Sequence, residues 1–377
     1  MTTYVWFSCP PASVSSMIKK VYSNRYLGTL PKGCKLCMKG AKLVVFVSGI
    51  CSKKCFYCPI SLKKKNKDRS WVNERPVKKP SDVTHEAIRM SALGAGMTGG
   101  DPDLSLEKTL GYMRPLKKEF GKKFHIHMYT SNALDKEMLR KLKNAGLDEL
   151  RFHITDNGEI WNSIKNSAEM DMCTGVEIPV IPGQHDRILE IARKLSGIEG
   201  SFLNLNELEF SETNLREFKK RNFELKSETS YAVKGSEETA LKILALCKNF
   251  KLNIYYCSSA YKDSVQLRKR LLRTAKNTAK DYEEVSEDGL LLKGVIAVEK
   301  PTLEKLSALR KNLIKEFKIP ENLITVDKEK MRLETSVEIS EKLSEMYKKR
   351  GLKYFLVEEY PTSDRLETDV VPLEVSE

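Results

Sequence analysis

Short apolar segments of strand length alternate with amphipathic segments of helical length in the first half of the chain. The apolar segments, which we predict to be strands, are residues 43–47, 94–102, 123–130, 148–155, 176–182 and 202–210. The segments between them repeat their apolar positions every three or four residues, as helices do. Strands that alternate with helices form parallel β/α units. The sequence therefore predicts six consecutive β/α units over residues 43–210.

A second pattern occupies the C-terminal part of the chain. Its predicted elements are strand 290–298, helix 302–317, strands 323–327 and 330–335, helix 337–349 and strand 353–359. The order β-α-β-β-α-β is that of a ferredoxin-like α+β domain. The predicted domains are an N-terminal cysteine-containing extension (1–42), the β/α region (43–210), a helical extension (211–289) and the ferredoxin-like domain (290–377).

Three cysteines follow the first predicted strand at a spacing that is typical of an iron–sulfur site. Cys51, Cys55 and Cys58 form the pattern Cys-x3-Cys-x2-Cys, and the aromatic residue Tyr57 precedes the third cysteine. A cubane [4Fe–4S] cluster needs four ligands, so three thiolates leave one iron open to a reactant. The alternatives are a zinc loop or buried packing cysteines. Structural zinc sites usually combine two pairs of ligands, and no clean second pair flanks this loop at finger spacing.

The cysteine loop resembles the signature of the radical S-adenosylmethionine (SAM) superfamily, and the resemblance covers residues 43–210. It implies a partial TIM-like (β/α)6 barrel in which Cys51, Cys55 and Cys58 hold three irons while SAM chelates the fourth. It also implies that an electron from a low-potential ferredoxin or flavodoxin cleaves SAM to a 5′-deoxyadenosyl radical, which abstracts hydrogen from a substrate. Tyr-Cys-Pro at 57–59 and Ile-Pro-x-x-Pro-Gly at 178–183 resemble archaeal-type proteins related to pyruvate formate-lyase activating enzymes.

The resemblance also assigns residues to SAM, mostly at the ends of predicted strands. Residues 98–102 resemble the superfamily's Gly-Gly-Glu-Pro turn, which receives the SAM amino group, but Asp101 replaces the Glu and has a shorter reach. Segment 130–132 resembles the one that contacts the carboxylate or ribose of SAM. Segment 152–155 resembles the one that lies near the ribose, and segment 180–183 resembles the one that packs on the adenine. The SAM-binding residues that we expect are Tyr57, Gly99, Gly100, Asp101, Pro102, Ser131, Asn132, His153, Thr155 and Ile181.

A second cysteine pair, Cys34 and Cys37, lies before the first predicted strand. Cys-x2-Cys is half of a common metal site, so the pair predicts an auxiliary iron–sulfur or zinc site. The alternative is two free thiols in a turn. We expect Cys257 as a further ligand, and the other candidates are Cys9, Cys173 and Cys247.

The chain begins without the basic and long apolar segments of a signal peptide, and no apolar run reaches the length of a membrane span. We therefore expect a cytoplasmic protein whose nine cysteines serve as metal ligands and free thiols rather than as disulfides. An oxygen-sensitive cluster would further require an anaerobic or well-reduced cytoplasm.

The net charge of the chain, +14, is concentrated in its first 80 residues. This segment contains 17 Lys and Arg residues against Asp68 and Glu74 alone, whereas residues 290–377 contain 16 Lys and Arg residues against 17 Asp and Glu residues. The run 63–69 is especially basic, and the predicted helix 264–276 adds further positive charge. Such a distribution steers anionic partners toward the cysteine loop, although a basic run is often only a solvated surface.

These patterns together predict a radical SAM enzyme, and the charge places RNA, in particular tRNA, first among its substrates. One alternative is an activating or modifying enzyme for a protein or small molecule, whose basic face receives an acidic ferredoxin or flavodoxin. Another is a non-catalytic, metal-stabilised RNA-binding protein. The ferredoxin-like domain has neither cysteines nor excess charge, so we expect no chemistry there.

Overall fold

The computed structural model describes residues 9, 17–155, 158–347 and 351–373 of the chain. The chain divides into two compact units, Met1–Ile88 with Ala92–Leu267 and Arg89–Ser91 with Arg268–Glu377. The second unit begins earlier than the predicted ferredoxin-like domain, because it includes a helix and a short strand from residues 268–289.

The first unit is built on a mixed sheet whose central strands are parallel. The strands of this unit are β1 (Lys19–Val21), β2 (Asn24–Leu27), β3 (Lys42–Ser48), β4 (Trp71–Val72), β5 (Arg75–Pro76), β6 (Gly94–Gly99), β7 (His125–Thr130), β8 (Glu149–Phe152), β9 (Cys173–Val180), β10 (Phe202–Glu207), β11 (Leu225–Ser227), β12 (Ser230–Val233) and β13 (Asn253–Cys257). The sheet order is β1-β2-β13-β10-β9-β8-β7-β6-β3-β4-β5, and β11 and β12 form a separate hairpin.

Seven strands of the described residues are parallel neighbours: β3, β6, β7, β8, β9, β10 and β13. The predicted α/β fold with a TIM-like partial barrel is confirmed, but it has one parallel strand more than we predicted. The added strand β13 lies in the segment 211–289, which we expected to be helical. All five of its residues are buried, as is typical of a parallel strand that is covered on both faces.

The helices of the first unit connect these strands. They are α1 (Lys32–Met38), α2 (Pro80–Arg89), α3 (Leu106–Phe120), α4 (Lys136–Asn144), α5 (Ile160–Glu169), α6 (His185–Ser196), α7 (Leu215–Lys220), α8 (Ser236–Leu246) and α9 (Ser259–Tyr261), with a 3₁₀ turn at Pro102–Ser105 and a π-helix at Lys262–Leu267. In α4, the Asp135 side chain accepts the backbone N–H of Met138 at 2.7 Å, which satisfies a donor that the first helical turn leaves open. In the part of the chain that the structure describes, no helix is long and apolar enough to cross a membrane.

The N-terminal end of the barrel is polar inside and is contacted by helix α1. Arg151 on β8 is only 3% exposed and forms ion pairs with Glu149 on the same strand and with Glu177 on β9. Burial alone would raise the pKa of Glu177, but the Arg151 charge holds it below its usual value. Gly33 of α1 donates its backbone N–H to Glu149 at 3.0 Å, and a Cβ atom there would overlap both Glu149 and Arg151. Glycine therefore lets α1 approach this buried ion network.

In the described residues, the second unit combines an antiparallel sheet with three helices. Its strands are β14 (Glu284–Val285), β15 (Leu291–Val298), β16 (Ile324–Asp327), β17 (Arg332–Thr335), β18 (Leu352–Glu359) and β19 (Glu367–Pro372), and its helices are α10 (Arg268–Thr278), α11 (Leu303–Phe317) and α12 (Val337–Met346), with a 3₁₀ turn at Glu321–Leu323. The order β16-β17-β15-β18-β19 contains the predicted ferredoxin-like arrangement, with β14 and β19 added. The predicted helix 337–349 extends into residues 348–350, which lie outside the described residues.

The two faces of this second sheet differ in chemistry. Ile296 on β15 belongs to the apolar cluster with the helices, whereas Lys293 on the same strand points to the opposite face. Lys293 is 0% exposed and forms ion pairs with Glu283 at 2.6 Å, Glu359 at 2.7 Å and Glu334 at 3.5 Å. Burial alone would raise the pKa of Glu334, but the neighbouring cations Lys293 and Arg365 hold it well below the usual value. The ionised form of Glu334 therefore stabilises this layer.

Candidate active site

A cavity of about 620 Å³ lies at the C-terminal ends of the parallel strands of the first unit. Parallel barrels carry their reactive residues at this end, because the loops that follow the strands converge there. Nine residues that we predicted as cluster or SAM ligands line the cavity: Cys51, Cys55, Tyr57, Cys58, Gly99, Gly100, Asp101, Ser131 and His153. The structure thus brings together side chains from the cysteine loop and from the ends of β6, β7 and β8.

The cysteine loop is fastened by backbone contacts on both sides. The Gly49 N–H donates to the Lys67 carbonyl at 2.8 Å, and the Asn66 N–H donates to the Gly49 carbonyl at 3.0 Å. On the other side, the Thr213 hydroxyl donates to the Cys58 carbonyl at 2.9 Å and Asn214 donates to the Tyr57 carbonyl at 3.3 Å. These bonds fix the loop that presents the three thiols to the cavity.

The basic run 63–69 forms part of this support. Lys64 lines the cavity, and its ammonium lies 5.5 Å from the Phe46 ring centroid and 5.3 Å from that of Trp71. Cations over aromatic faces are favourably placed. Lys64 also faces Glu74 at 3.6 Å. At least this residue of the run is a part of the cavity wall rather than solvated surface.

The glycine turn after β6 allows two backbone segments to approach closely. A Cβ atom on Gly100 would lie 2.9 Å from the Cys51 Cβ atom and nearer still to the Ile50 carbonyl oxygen. Gly99 has a φ of 135°, which residues with side chains rarely adopt. The Gly100 N–H donates to the Ser48 carbonyl at 2.8 Å. The turn is therefore packed directly against the cysteine loop.

Asp101 is the polar centre of the turn and is 3% exposed. One carboxylate oxygen accepts the Ser131 N–H at 2.7 Å, and the other accepts the Cys51 thiol at 3.1 Å and the Ser52 N–H at 3.4 Å. The carboxylate thus links the ends of β6 and β7 to the first cysteine of the loop. A Cys51 thiolate has no proton to donate, so the oxygen that it contacts becomes available once that cysteine binds metal.

The cysteines themselves are partly exposed to the cavity. Burial raises the pKa of the Cys51 thiol to about 12 and also raises the pKa of the Cys55 thiol. Cysteine must lose its proton to bind metal, so ligation would release protons. Within residues 9, 17–155, 158–347 and 351–373, no three Cys, His, Asp or Glu side chains already converge as a metal site. In the thiol form, Cys51 instead faces the Asp101 carboxylate.

Tyr57 and His153 form a hydrogen-bonded pair on another part of the wall. The Tyr57 hydroxyl lies 2.8 Å from His153 Nε2, and His153 Nδ1 lies 3.2 Å from the Glu177 carbonyl oxygen. Burial lowers the pKa of His153 and raises that of Tyr57. Both side chains are therefore neutral near pH 7, with Nδ1 donating to the carbonyl and Nε2 accepting from the hydroxyl.

Four predicted SAM ligands are not among the cavity-lining residues of the described chain. Pro102 begins the 3₁₀ turn, and Thr155 directly precedes residues 156–157, which are outside the described residues. Asn132 accepts the Ser52 hydroxyl at 2.7 Å and supports the loop. Ile181 packs in the apolar cluster that also contacts the Tyr57 ring. Their roles toward SAM stay predictions.

Other cavity residues were missed by our reading of the sequence. They are contributed mainly by β9, β10 and the π-helix. Outside the basic run 63–69, the charged or amide-bearing ones are Lys53, Glu177, Asn206, Glu207, Glu209 and Lys262. The polar sequence Asn-Glu-Leu-Glu at 206–209 ends a predicted strand, which was a usable signal. Lys262 had no such signal in the sequence, because no motif indicated that its helix lies beside β10.

The second cysteine pair lies on α1, and neither Cys34 nor Cys37 is among the cavity-lining residues. Cys34 and Cys257 share one buried cluster with Leu30 and Tyr255. Cys34 Sγ also accepts from Asn204 at 3.3 Å, and burial raises the pKa of all three thiols at 34, 37 and 257. The auxiliary metal site at Cys34, Cys37 and Cys257 stays a prediction.

Two of the other candidate ligands are joined to each other. Cys9 and Cys173 form a disulfide with a Cα–Cα distance of 4.6 Å. Our expectation that the cysteines are ligands and free thiols rather than disulfides was therefore wrong for this pair. β9 places Cys173 beside Cys9, and sequence spacing does not report such a contact between residues 164 positions apart.

Comparisons with known proteins identify the class. Residues 45–156 match the model of the radical SAM superfamily, and residues 289–373 match DUF8061, a domain of unknown function. The chain is 42% identical over 370 residues to a Methanocaldococcus jannaschii protein named "Putative glycyl-radical enzyme activating enzyme", with 93% of this chain and 95% of that protein covered. The chain therefore belongs to the radical SAM superfamily and is an enzyme whose cofactors are a [4Fe–4S] cluster and SAM.

More narrowly, the protein is related to the pyruvate formate-lyase activating enzymes, as its sequence predicted. The alternative of a non-catalytic RNA-binding protein is thereby excluded.

Solved structures resemble the chain only distantly. Streptococcus suis SuiB bound to SAM matches with a TM-score of 0.41 and 11% identity, and the match covers 58% of this chain and 50% of that one. Methylornithine synthase (PylB) matches with a TM-score of 0.37 and 13% identity, covering 58% of this chain and 71% of that one.

Proposed function

We propose that Cys51, Cys55 and Cys58 hold the [4Fe–4S] cluster and that SAM occupies the same cavity. The observation that carries this proposal is the convergence of three partly exposed thiols of one loop on a cavity bordered by a glycine turn. The volume of about 620 Å³ is within the range of small-molecule sites. The donor set also fits, because three thiolates leave one position of the cluster for SAM.

The chain's own residues then position the reactants. When bound and given an electron by an external donor, the cluster and SAM would together supply the radical chemistry that removes a hydrogen atom from the substrate. Asp101 presents a carboxylate oxygen for the SAM amino group once Cys51 has lost its proton. The neutral pair of Tyr57 and His153 offers a polar but uncharged wall, which suits a nucleoside better than a charged wall would.

For the substrate, we propose an amino-acid unit, with a polypeptide ahead of RNA. The support is the name of the Methanocaldococcus relative, which refers to activation of a glycyl-radical enzyme. The predicted tRNA substrate has no such support.

For the electron donor, we propose an acidic ferredoxin or flavodoxin. The support is the excess of 17 Lys and Arg residues over two acidic residues in the first 80 positions, with Lys53 and Lys64 at the cavity itself. Surface charge of this kind accelerates association with an oppositely charged partner.

The experiment is anaerobic reconstitution of the wild-type chain and of Cys51→Ala, Cys55→Ala and Cys58→Ala. Each variant should lose most of its iron and should form no deoxyadenosine from SAM with dithionite. Cys247→Ala is the matched control, because Cys247 is buried and does not line the cavity. Full iron content and SAM cleavage in any of the three variants would contradict the ligand assignment.

A second arm addresses the substrate. Deoxyadenosine formation is measured after addition of the protein fraction or the tRNA fraction of a cell extract. We expect stimulation by the protein fraction, and stimulation by tRNA alone would reverse the ranking.

A further inference from the structure

Two oppositely charged side chains that the sequence reading missed face each other in the cavity. Glu209 follows β10, and Lys262 begins the π-helix. They form an ion pair, and their side chains are 29% and 31% exposed, respectively. Both line the same cavity as the three cysteines. Short π-helical segments often occur at functional sites, which makes this wall a place to look for substrate contacts.

The backbone holds both members of the pair in place. The Glu209 carbonyl accepts Asn214 at 2.9 Å, and Asn214 also donates to the Tyr57 carbonyl in the cysteine loop. The Lys262 N–H donates to the Ser258 carbonyl at 3.3 Å. Glu209 is therefore anchored by the same buried amide that supports the cysteine loop, and Lys262 is anchored separately by the backbone of residue 258.

The neighbouring carboxylates of the wall are already occupied. Glu207 has a side chain 1% exposed, and it accepts Lys226 at 2.9 Å and the Ser259 N–H at 2.8 Å. Glu177 is paired with Arg151 at 2.6 Å and accepts two asparagine amides. Both carboxylates are committed to protein partners, so among the glutamates of this wall Glu209, which pairs with Lys262, is the one that a ligand can engage by exchanging partners.

We infer that Glu209 and Lys262 determine substrate specificity by binding neighbouring opposite charges, an ammonium or guanidinium at Glu209 and a carboxylate at Lys262. A ligand with a single charge would take one partner and leave the other side chain without its internal ion pair, so it gains one interaction at the expense of another. A ligand with both charges replaces the internal pair by two new ones. This inference rests on the proposed function, since it concerns the substrate of the same cavity.

Two kinds of ligand carry a positive and a negative charge close together. One is a free α-amino acid, whose ammonium and carboxylate are adjacent. The other is a peptide in which a basic and an acidic side chain flank the reacting residue. A phosphodiester has only negative charge, so a nucleic acid does not satisfy this wall.

The first test uses the wild-type holoenzyme, reconstituted with cluster and supplied with SAM and dithionite. The probes are the free amino acids, their N-acetyl derivatives with only the carboxylate, their amides with only the ammonium, Lys-Gly-Glu and Glu-Gly-Lys peptides with blocked termini, and tRNA. We expect stimulated deoxyadenosine formation with free amino acids or with the charged peptides, and the responding arm names the source. Singly charged analogues should need at least about tenfold higher concentration, as loss of one charge-assisted hydrogen bond implies.

The second test changes the pair. Glu209→Gln should raise KM for the responding probe about tenfold or more, with a smaller change in kcat, and should reduce the penalty for omitting the ammonium. Lys262→Gln should do the same for the carboxylate. Glu224→Gln is the matched control, because Glu224 forms an exposed ion pair with Lys234 outside the cavity lining.

Several results would overturn the inference. They are equal stimulation by neutral or singly charged analogues, stimulation by tRNA alone, no response to any doubly charged probe, or KM values in both variants equal to the wild type. The probe comparison needs no variant, so it decides the matter even if a variant fails to fold. Iron content and SAM cleavage without any probe report on the proposed function separately, and their failure would be a different result.

Discussion

The substitution Gly100→Ala tests whether the glycine turn must lie against the cysteine loop. The new methyl group would overlap the Ile50 carbonyl oxygen and lie 2.9 Å from the Cys51 Cβ atom. Both obstacles are backbone or atoms fixed to it, so relief requires the turn and the loop to separate. Overpacking of this kind costs about 1–3 kcal/mol. The separation would also stretch the bonds from Gly100 to Ser48 and from Asp101 to Ile50, at 2.8 and 2.9 Å.

The matched control is Gly111→Ala on helix α3. No atom lies within 4 Å of a Cβ atom placed there, and alanine favours a helix over glycine by about 1 kcal/mol. The two variants therefore make the same chemical change with opposite expected signs. Urea unfolding should place the midpoint of Gly100→Ala below the wild type and that of Gly111→Ala at or above it. Iron content after anaerobic reconstitution should fall only in Gly100→Ala, and equal iron content and midpoints would refute the reasoning.

Further predictions concern the anchoring carboxylate, the second unit and the disulfide. Asp101→Ala should destabilise the chain by about 1–3 kcal/mol and lower iron retention, because the Ser131 N–H loses its acceptor; unchanged urea midpoint and iron content would contradict this. Lys293→Met should lower the stability of the second unit by about 3–5 kcal/mol, since it leaves buried carboxylates uncompensated, and calorimetry would detect it. The pKa of Glu334 is depressed in the folded state, so its ionised form contributes to the free energy of unfolding above the ordinary carboxyl pKa. This contribution is lost as the pH falls below about 4. Acid unfolding, monitored by circular dichroism, should therefore begin there. Cys173→Ser should cost about 2–5 kcal/mol more under oxidising than under reducing conditions, because the reduced wild type also lacks the cross-link, and the same denaturation assay measures the difference.

Local patterns in the sequence predicted much of the architecture. The six strands of residues 43–210 and the elements of the ferredoxin-like domain follow from apolar periodicity, which burial on one face imposes. The seventh parallel strand β13 was not predicted, because the periodic signal does not say which sheet a strand joins. The N-terminal hairpin of β1 and β2 was not predicted to join this sheet either. Its pairing of Leu27 with Ile254 joins residues 227 positions apart, which a local pattern does not report.

In the candidate site, too, some residues could be predicted from local motifs and others could not. Cys51, Cys55, Cys58 and the turn at 99–101 were found because each lies in a short motif whose spacing reflects one loop. Glu209 and Lys262 were missed because their contact joins two segments 53 positions apart, and neither segment has a distinctive motif. Asp101 was found, but its bonds to Cys51 and Ser131 depend on the packing of three separate loops.

The pairing of the N-terminal hairpin with β13 has a consequence for biosynthesis. A ribosome releases residues 19–27 long before residues 253–257, so β2, which pairs with β1 on one side, has to wait without β13 on the other side while more than 200 residues are made. Contacts so distant in sequence slow folding, and Asn214, which supports the cysteine loop, also emerges late. Metal loading in the cell should accordingly follow translation of the first unit, and nascent chains that stop before residue 253 should be clients for chaperones rather than for the iron–sulfur assembly machinery.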